Sequence, residues 1–178
     1  MSQRKRQPLL VSACLLGENC RFDGTNNSLA VLVSRTLHWY YDLIPVCPEQ
    51  LGGLPTPRPS AEIRAGDGRD VHAGTAKVFD KNGQDVTAAF VRGAVATLRL
   101  ANESCAIIAL LKARSPSCGN DQIYDGSFSG TLRDGVGVTT ALLQKNGVAI
   151  FNEEQLIEIY NYKISGRDKE NYHASADS

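Results

Sequence analysis

Three cysteines, Cys14, Cys47 and Cys118, each stand just past an apolar run: LLVSAC, DLIPVC and CAIIALLKARSPSC. Buried strands that lie parallel end at a common edge of their sheet, and open α/β sheets bind ligands in the crevice outside that edge. Three thiols delivered there form a soft donor set, suited to zinc or an iron–sulfur centre. A single cysteine is more often just a small buried hydrophobe, but three at equivalent strand ends reverse that weighting. A closed structural zinc site takes four ligands, and His38, His72 and His173 read as surface histidines away from these strand ends. Three thiols without a clean fourth partner leave a position open for water or substrate. Cys20 is a candidate substitute ligand, and Cys105, opening the third strand at the opposite edge, reads as core.

Other reactive side chains gather on the same loops. Glu49 follows Cys47 by two residues in CPEQLGGLPTPRPS and is the candidate general acid–base. In ARSPSCGN, Ser115, Ser117 and Gly119 surround Cys118, small residues that leave backbone amides free to donate to sulfur or an anion. Arg21, Asp23, Asn26, Arg58, Lys112 and Ser117 are candidates for substrate binding, each weighed against an ordinary loop or strand-end role, and Arg114 adds local positive charge.

The elements that must position these groups follow from periodicity. Strands are predicted at Pro8 to Ala13, Asp42 to Val46, Cys105 to Lys112 and Val148 to Phe151, each a short apolar run bounded by turn residues. Helices are predicted at Ser28 to Tyr40 with Asn27 or Ser28 as N-cap, Thr87 to Asn102 with Thr87 as cap, Val138 to Lys145 stopped by Asn146-Gly147, and after Asn152. Cys14 and Cys47 are 33 residues apart, close to the roughly 30 residues of one βαβ unit. Val71 to Val86 reads as a hairpin around Lys81-Asn82-Gly83, and IYDGSFSG as a second hairpin. Pro48, Pro55, Pro57 and Pro59 predict a stiff loop without regular structure. The result is an α/β chain: a single Rossmann-like domain over 8–164, a small mostly parallel sheet of about four strands with flanking helices and one or two hairpin excursions. Residues 1–7 and 165–178 read as flexible ends.

Composition narrows the function classes. With 178 residues, 42% hydrophobic and 21% charged, the chain suits one globular domain. Nineteen basic and nineteen acidic residues cancel, so bulk charge offers nothing to a nucleic acid polymer or an anionic membrane. The longest apolar stretch falls far short of a bilayer span, and the N-terminus shows no apolar signal region. A cytoplasmic location is expected. Thiols there are kept reduced, so five cysteines point to metal binding or catalysis rather than a disulfide framework.

Taken together, SACLLG-x-x-CR-x-DG, PVCPE-x-LGGLPTPR, LKARSPSCG and IYDG-x-FSG resemble a bacterial family that includes the thiouracil desulfidases. The resemblance runs from about Leu10 to Glu153. It implies a [4Fe-4S] cluster held by Cys14, Cys47 and Cys118 with one iron left open, a cluster that handling in air can remove or replace. It further implies that Glu49 activates water and Ser115 assists by hydrogen bonding, in removing sulfur from a small thiolated uracil or its nucleotide. The alternative in another class is a non-catalytic carrier or sensor of a cluster or metal. A dinucleotide-binding module is disfavoured because the first strand turn reads CLLGENCRFDG rather than G-x-G-x-x-G.

Overall fold

The structure is a computed structural model and describes residues 6–162, the side chains of residues 31–34 excepted. Along the chain come β1 (Gln7–Ser12), a 3-10 turn (Ala13–Leu16), α1 (Val31–Tyr40), β2 (Tyr41–Val46), α2 (Pro48–Leu51), β3 (Ala61–Arg64), α3 (Gly68–Ala73) and β4 (Lys77–Asp80). There follow α4 (Thr87–Ser104), β5 (Ile108–Leu111), β6 (Gln122–Tyr124), β7 (Leu132–Asp134), α5 (Val138–Lys145) and β8 (Ala149–Asn152). Residues 156–162 are again helical.

Four strands form one parallel sheet in the order β2-β1-β5-β8. Its strands are apolar on both faces, as parallel strands covered by helices must be. Leu9, Val11, Ile108 and Leu110 face a core shared with Leu37 and Tyr41 on one side and Ile159 of the last helical stretch. The alternate residues Leu10, Ala109 and Leu111 face the other way, against Ala101 of α4 and Leu143 of α5. This is the doubly wound α/β arrangement read from the sequence. Strand order reverses at β1, so the crevice between the ends of β1 and β5 is the topological switch point where such sheets take ligands.

Two excursions leave the sheet. β3 pairs antiparallel with β4, and β6 with β7. They share a third core in which Ile63, Val78, Phe90, Ile123 and Val138 are buried. The buried Glu62 carboxylate fastens one to the other by accepting from the Gly126 and Phe128 amides at 2.9 and 3.0 Å.

Several local readings need correction. Val71 lies in α3, not in a hairpin strand, because Asp67 and Asp70 form a capping box that starts a helix there. The turn at Asn82-Gly83 exists, but β4 finds its main partner in β3, with only the Phe79–Asp85 bridge across the turn. Proline does not keep Pro48–Leu51 irregular: Pro48 sits in the first turn, where a helix needs no amide from it. α1 begins three residues later than predicted, with Ala30 before it, because the Asn27 and Leu29 amides bond back to the carbonyls of Cys14 and Leu15. Thr87 is the first helical residue of α4 rather than its cap, and its hydroxyl bonds the Val78 backbone. Asn152 ends β8, and its side chain accepts from the Glu154 amide ahead of the last helical stretch. Cys105 is exposed and ends α4 with a φ of 56°, so it is neither core nor strand. The two flexible ends and His173 fall largely outside the described residues, and no helix among those residues is long and apolar enough to cross a membrane.

α2 and α4 cross with their backbones touching. A Cβ on Gly93 would stand 1.9 Å from the Pro48 carbonyl oxygen, and one on Gly52 2.0 Å from that of Ala89. Gly93→Ala should therefore force α2 outward and lower stability by about 1–3 kcal/mol, read as a fall in the thermal midpoint of about 2–4 °C for each kcal/mol. Val95→Ala, on the exposed face of the same helix, should stay within about 0.5 kcal/mol of the parent.

Candidate functional site

The ends of β1, β2 and β5 lie on one line. Ser12 is paired with Val46, and the pairing of Val11 with Leu110 carries Leu111 to the same level. The Lys112 amide then donates to Ser12 Oγ at 2.9 Å, tying β5 to β1 where both stop. Beyond that line the chain makes three different turns, and each carries one of the predicted thiols.

Cys14 lies in the 3-10 turn that Gly17 closes with a φ of 97°, and its carbonyl accepts from the Asn27 amide at 2.9 Å. Its thiol is buried. Cys47 immediately precedes α2 and is half-buried. Cys20, brought back by the loop after Gly17, is buried in the same cluster as Cys14 and Cys47, and its carbonyl accepts from Cys47 Sγ at 3.7 Å.

Cys118 is held by the turn 115–119. Ser115 Oγ accepts from the amides of Ser117 and Cys118 at 3.1 and 3.2 Å, and the Ser115 carbonyl from Gly119 at 2.8 Å. The first amides of α5, which have no partner inside a helix, donate outward to this turn: Val138 to the Pro116 carbonyl and Thr139 to that of Ser117, both at 2.9 Å. Thr140 Oγ1 adds a bond to the Cys118 carbonyl at 2.8 Å. The contact is so close that a Cβ on Gly137 would lie 2.4 Å from Ser117 backbone atoms. Cys118 is thus positioned by main-chain groups of two elements.

Burial is the main influence on the Cys118 thiol. It pushes Cys118 up to about 12, opposed by hydrogen bonds with Ser12 and Ser117 and reinforced by the facing charges of Cys47 and Glu49. Its hydrogen bond to Cys14 raises Cys20 to about 11. Cys47 is raised by its bond to Cys20 and then by burial. Thiols shifted this way are poor nucleophiles by themselves, whereas a bound metal displaces the proton and stabilises the thiolate.

Glu49 stands in the first turn of α2, and its Oε2 accepts from Arg58 Nε at 2.6 Å. The Ser115 hydroxyl accepts two amides and keeps its own proton to donate. The other predicted residues divide. Arg21 bonds Asn27 and lies 3.5 Å from Asp23, Asp23 accepts from Thr25, and Asn26 bonds Asn19 and Ser28, so these side chains brace their own loop. Lys112 is paired with Glu153, and Arg114 with Glu154. Ser117 is buried, with its hydroxyl 2.9 Å from Thr139 Oγ1, turned toward α5 rather than the crevice. His38 and His72 are exposed. A cavity of about 290 Å³ opens beside Cys47, lined by Ala13, Glu18, Val46, Cys47 and Gln50 among others. Ser12 was not among the predicted residues; a hydroxyl closing the apolar run LLVS was the signal for it.

Comparison with known proteins meets this geometry at the level of the whole chain. A solved structure of a [4Fe-4S]-dependent thiouracil desulfidase, TudS, is similar to it with a TM-score of 0.79 and 41% identity, over 88% of this chain and 97% of that one. An uncharacterised protein, YbbK of Bacillus subtilis (strain 168), is 44% identical over 151 residues, 85% of this chain and 99% of the relative. The family model for 2-thiouracil desulfurase matches residues 9–155. Spanning both excursions and all four parallel strands, that match shows that the chain belongs to the 2-thiouracil desulfurase family.

Proposed function

We propose that the protein is an iron–sulfur-dependent desulfidase that removes sulfur from a thiolated uracil or its nucleotide by hydrolysis, releasing sulfide. One observation supports this reading: three free cysteines stand on the turns that follow β1, β2 and β5, whose ends share one level at the switch point of the sheet, and Glu49 beside one of them is held by arginine. Membership of the family and likeness to the thiouracil desulfidase support it.

The donor set fits a cluster. Cys14, Cys47 and Cys118 would hold [4Fe-4S]; they are unpaired by disulfides, Cys14 and Cys118 are buried, and the Cys47 and Cys118 thiols are raised. Among the described residues no three His, Cys, Asp or Glu side chains close tightly enough to hold a single metal ion. Cysteine thiolates are the usual ligands of an iron–sulfur centre. When bound, such a cluster supplies a Lewis acid with an open position that attracts thione sulfur.

The chain's own groups supply the rest. Glu49 accepts a proton from water as its oxygen bonds to the thiolated ring carbon, and the Ser115 O–H donates to the substrate. The C–O bond forms, the C–S bond breaks, hydrogen sulfide leaves and a carbonyl remains, with no net redox change. Cys118 and Ser117 are buried, so the turn 115–119 keeps water from that side of Cys118.

Protein reconstituted anaerobically with iron and sulfide should release sulfide from 4-thiouracil, 2-thiouracil or 4-thio-UMP; a fully loaded protein inert toward all three would leave the carrier or sensor role instead. Cys14→Ser, Cys47→Ser and Cys118→Ser should each abolish the visible sulfur-to-iron absorption, while Cys20→Ser and Cys105→Ser retain it. Retained absorption in the Cys118 variant would contradict the ligand assignment. Glu49→Gln should load normally yet turn over about 10²–10⁴-fold more slowly.

A further inference from the structure

Arg58 reads from the sequence as a substrate-binding cation, yet the fold has already used nearly all of it. Its Nε donates to Glu49 Oε2 at 2.6 Å, Nη1 to the Pro55 carbonyl at 3.1 Å and Thr56 Oγ1 at 3.0 Å, and Nη2 to the Cys20 carbonyl at 3.0 Å. Four of the five guanidinium N–H groups thus end on protein oxygens, and its side chain is only 5% exposed. Its own amide donates to the Phe22 carbonyl at 2.7 Å, which pins the proline-rich loop to the loop after Cys14.

From this geometry we infer that Arg58 is a positioning residue that aims the Glu49 carboxylate, not a group that binds substrate. The inference rests on the desulfidase reading for its effect on turnover. The α2 helix is a single turn, too short to fix a glutamate rotamer, so a second anchor must come from elsewhere in the chain. Arginine is suited to it because a planar fork restrains direction as well as distance, which the point charge of lysine does not. The Cys20 carbonyl ties the pair to the thiols: it accepts from Cys47 Sγ at 3.7 Å as well as from Arg58.

The test compares Arg58→Met, Arg58→Lys, Glu49→Gln and the Glu49→Gln/Arg58→Met pair in reconstituted holoprotein. Arg58→Met should keep its iron content and cluster absorption while kcat falls about 10–100-fold with little change in KM, the size expected for misaligning a reacting group. Arg58→Lys should recover only part of kcat, and the double variant should be no slower than Glu49→Gln, because Arg58 acts through that carboxylate. Thr56→Val, which removes one restraint on the guanidinium, should shift kcat in the same direction by less and serves if Arg58→Met does not fold. A raised KM with unchanged kcat would make Arg58 a substrate ligand, and multiplicative losses in the double variant would make it independent of Glu49; either overturns the inference. If the wild type turns over no thiouracil, the desulfidase reading fails first. A crystal structure of Arg58→Met with the Glu49 carboxylate still in its parent position would then overturn the inference separately.

Discussion

β1 hydrogen-bonds in parallel to β2 on one side and to β5 on the other, so that Ser12, Val46 and Leu111 stop at one level. Parallel pairing makes this a strict constraint. A slip of one residue in β1 would carry Leu9 and Val11 into the layer of α4 and α5 and Leu10 into the opposite one, undoing the packing of both cores. The same apolar alternation that builds the two cores therefore sets the height at which Cys14, Cys47 and Cys118 leave the sheet. The stability of the fold and the assembly of the site are one requirement.

Above that line, main-chain contacts do most of the positioning. The turn carrying Cys118 is held by α5 amides and by the Ser115 hydroxyl, and the segment carrying Cys47 and Glu49 is pressed against α4 through two glycines. Backbone groups have few degrees of freedom left once their elements form, so thiols attached to them lose little further entropy on ligation. Side chains at the rim behave differently. Arg21, Lys112 and Arg114 are each bonded within or beside their own loops, which keeps charge near the crevice balanced.

The thiols and the Glu49–Arg58 ion pair solve opposite electrostatic problems. The neighbouring Cys20 and then burial raise Cys47, and burial raises Cys118, which lets a metal rather than water govern their ionisation. Glu49 is matched by a cation that reaches it from another loop. A carboxylate beside thiolates without Arg58 would concentrate negative charge in a sheltered place; with it, charge and direction are settled together.

The amino-acid sequence by itself determined the strand-end cysteines, the α/β alternation and the proximity of Glu49 to Cys47, because apolar runs, turn residues and adjacency along the chain are local properties. The four motifs also carried the family. Where local signals competed, the reading failed: Val71 looked like a strand residue until Asp67 and Asp70 capped a helix around it, and Cys105 looked like the opening residue of a strand yet caps α4 at the surface. Tertiary structure alone decided that Arg58 reaches back to Glu49, that Cys20 lies among the thiols, and that Ser117 turns away toward Thr139. Those outcomes depend on which loops the parallel register brings together, and no spacing along the chain encodes the direction of a side chain across that gap.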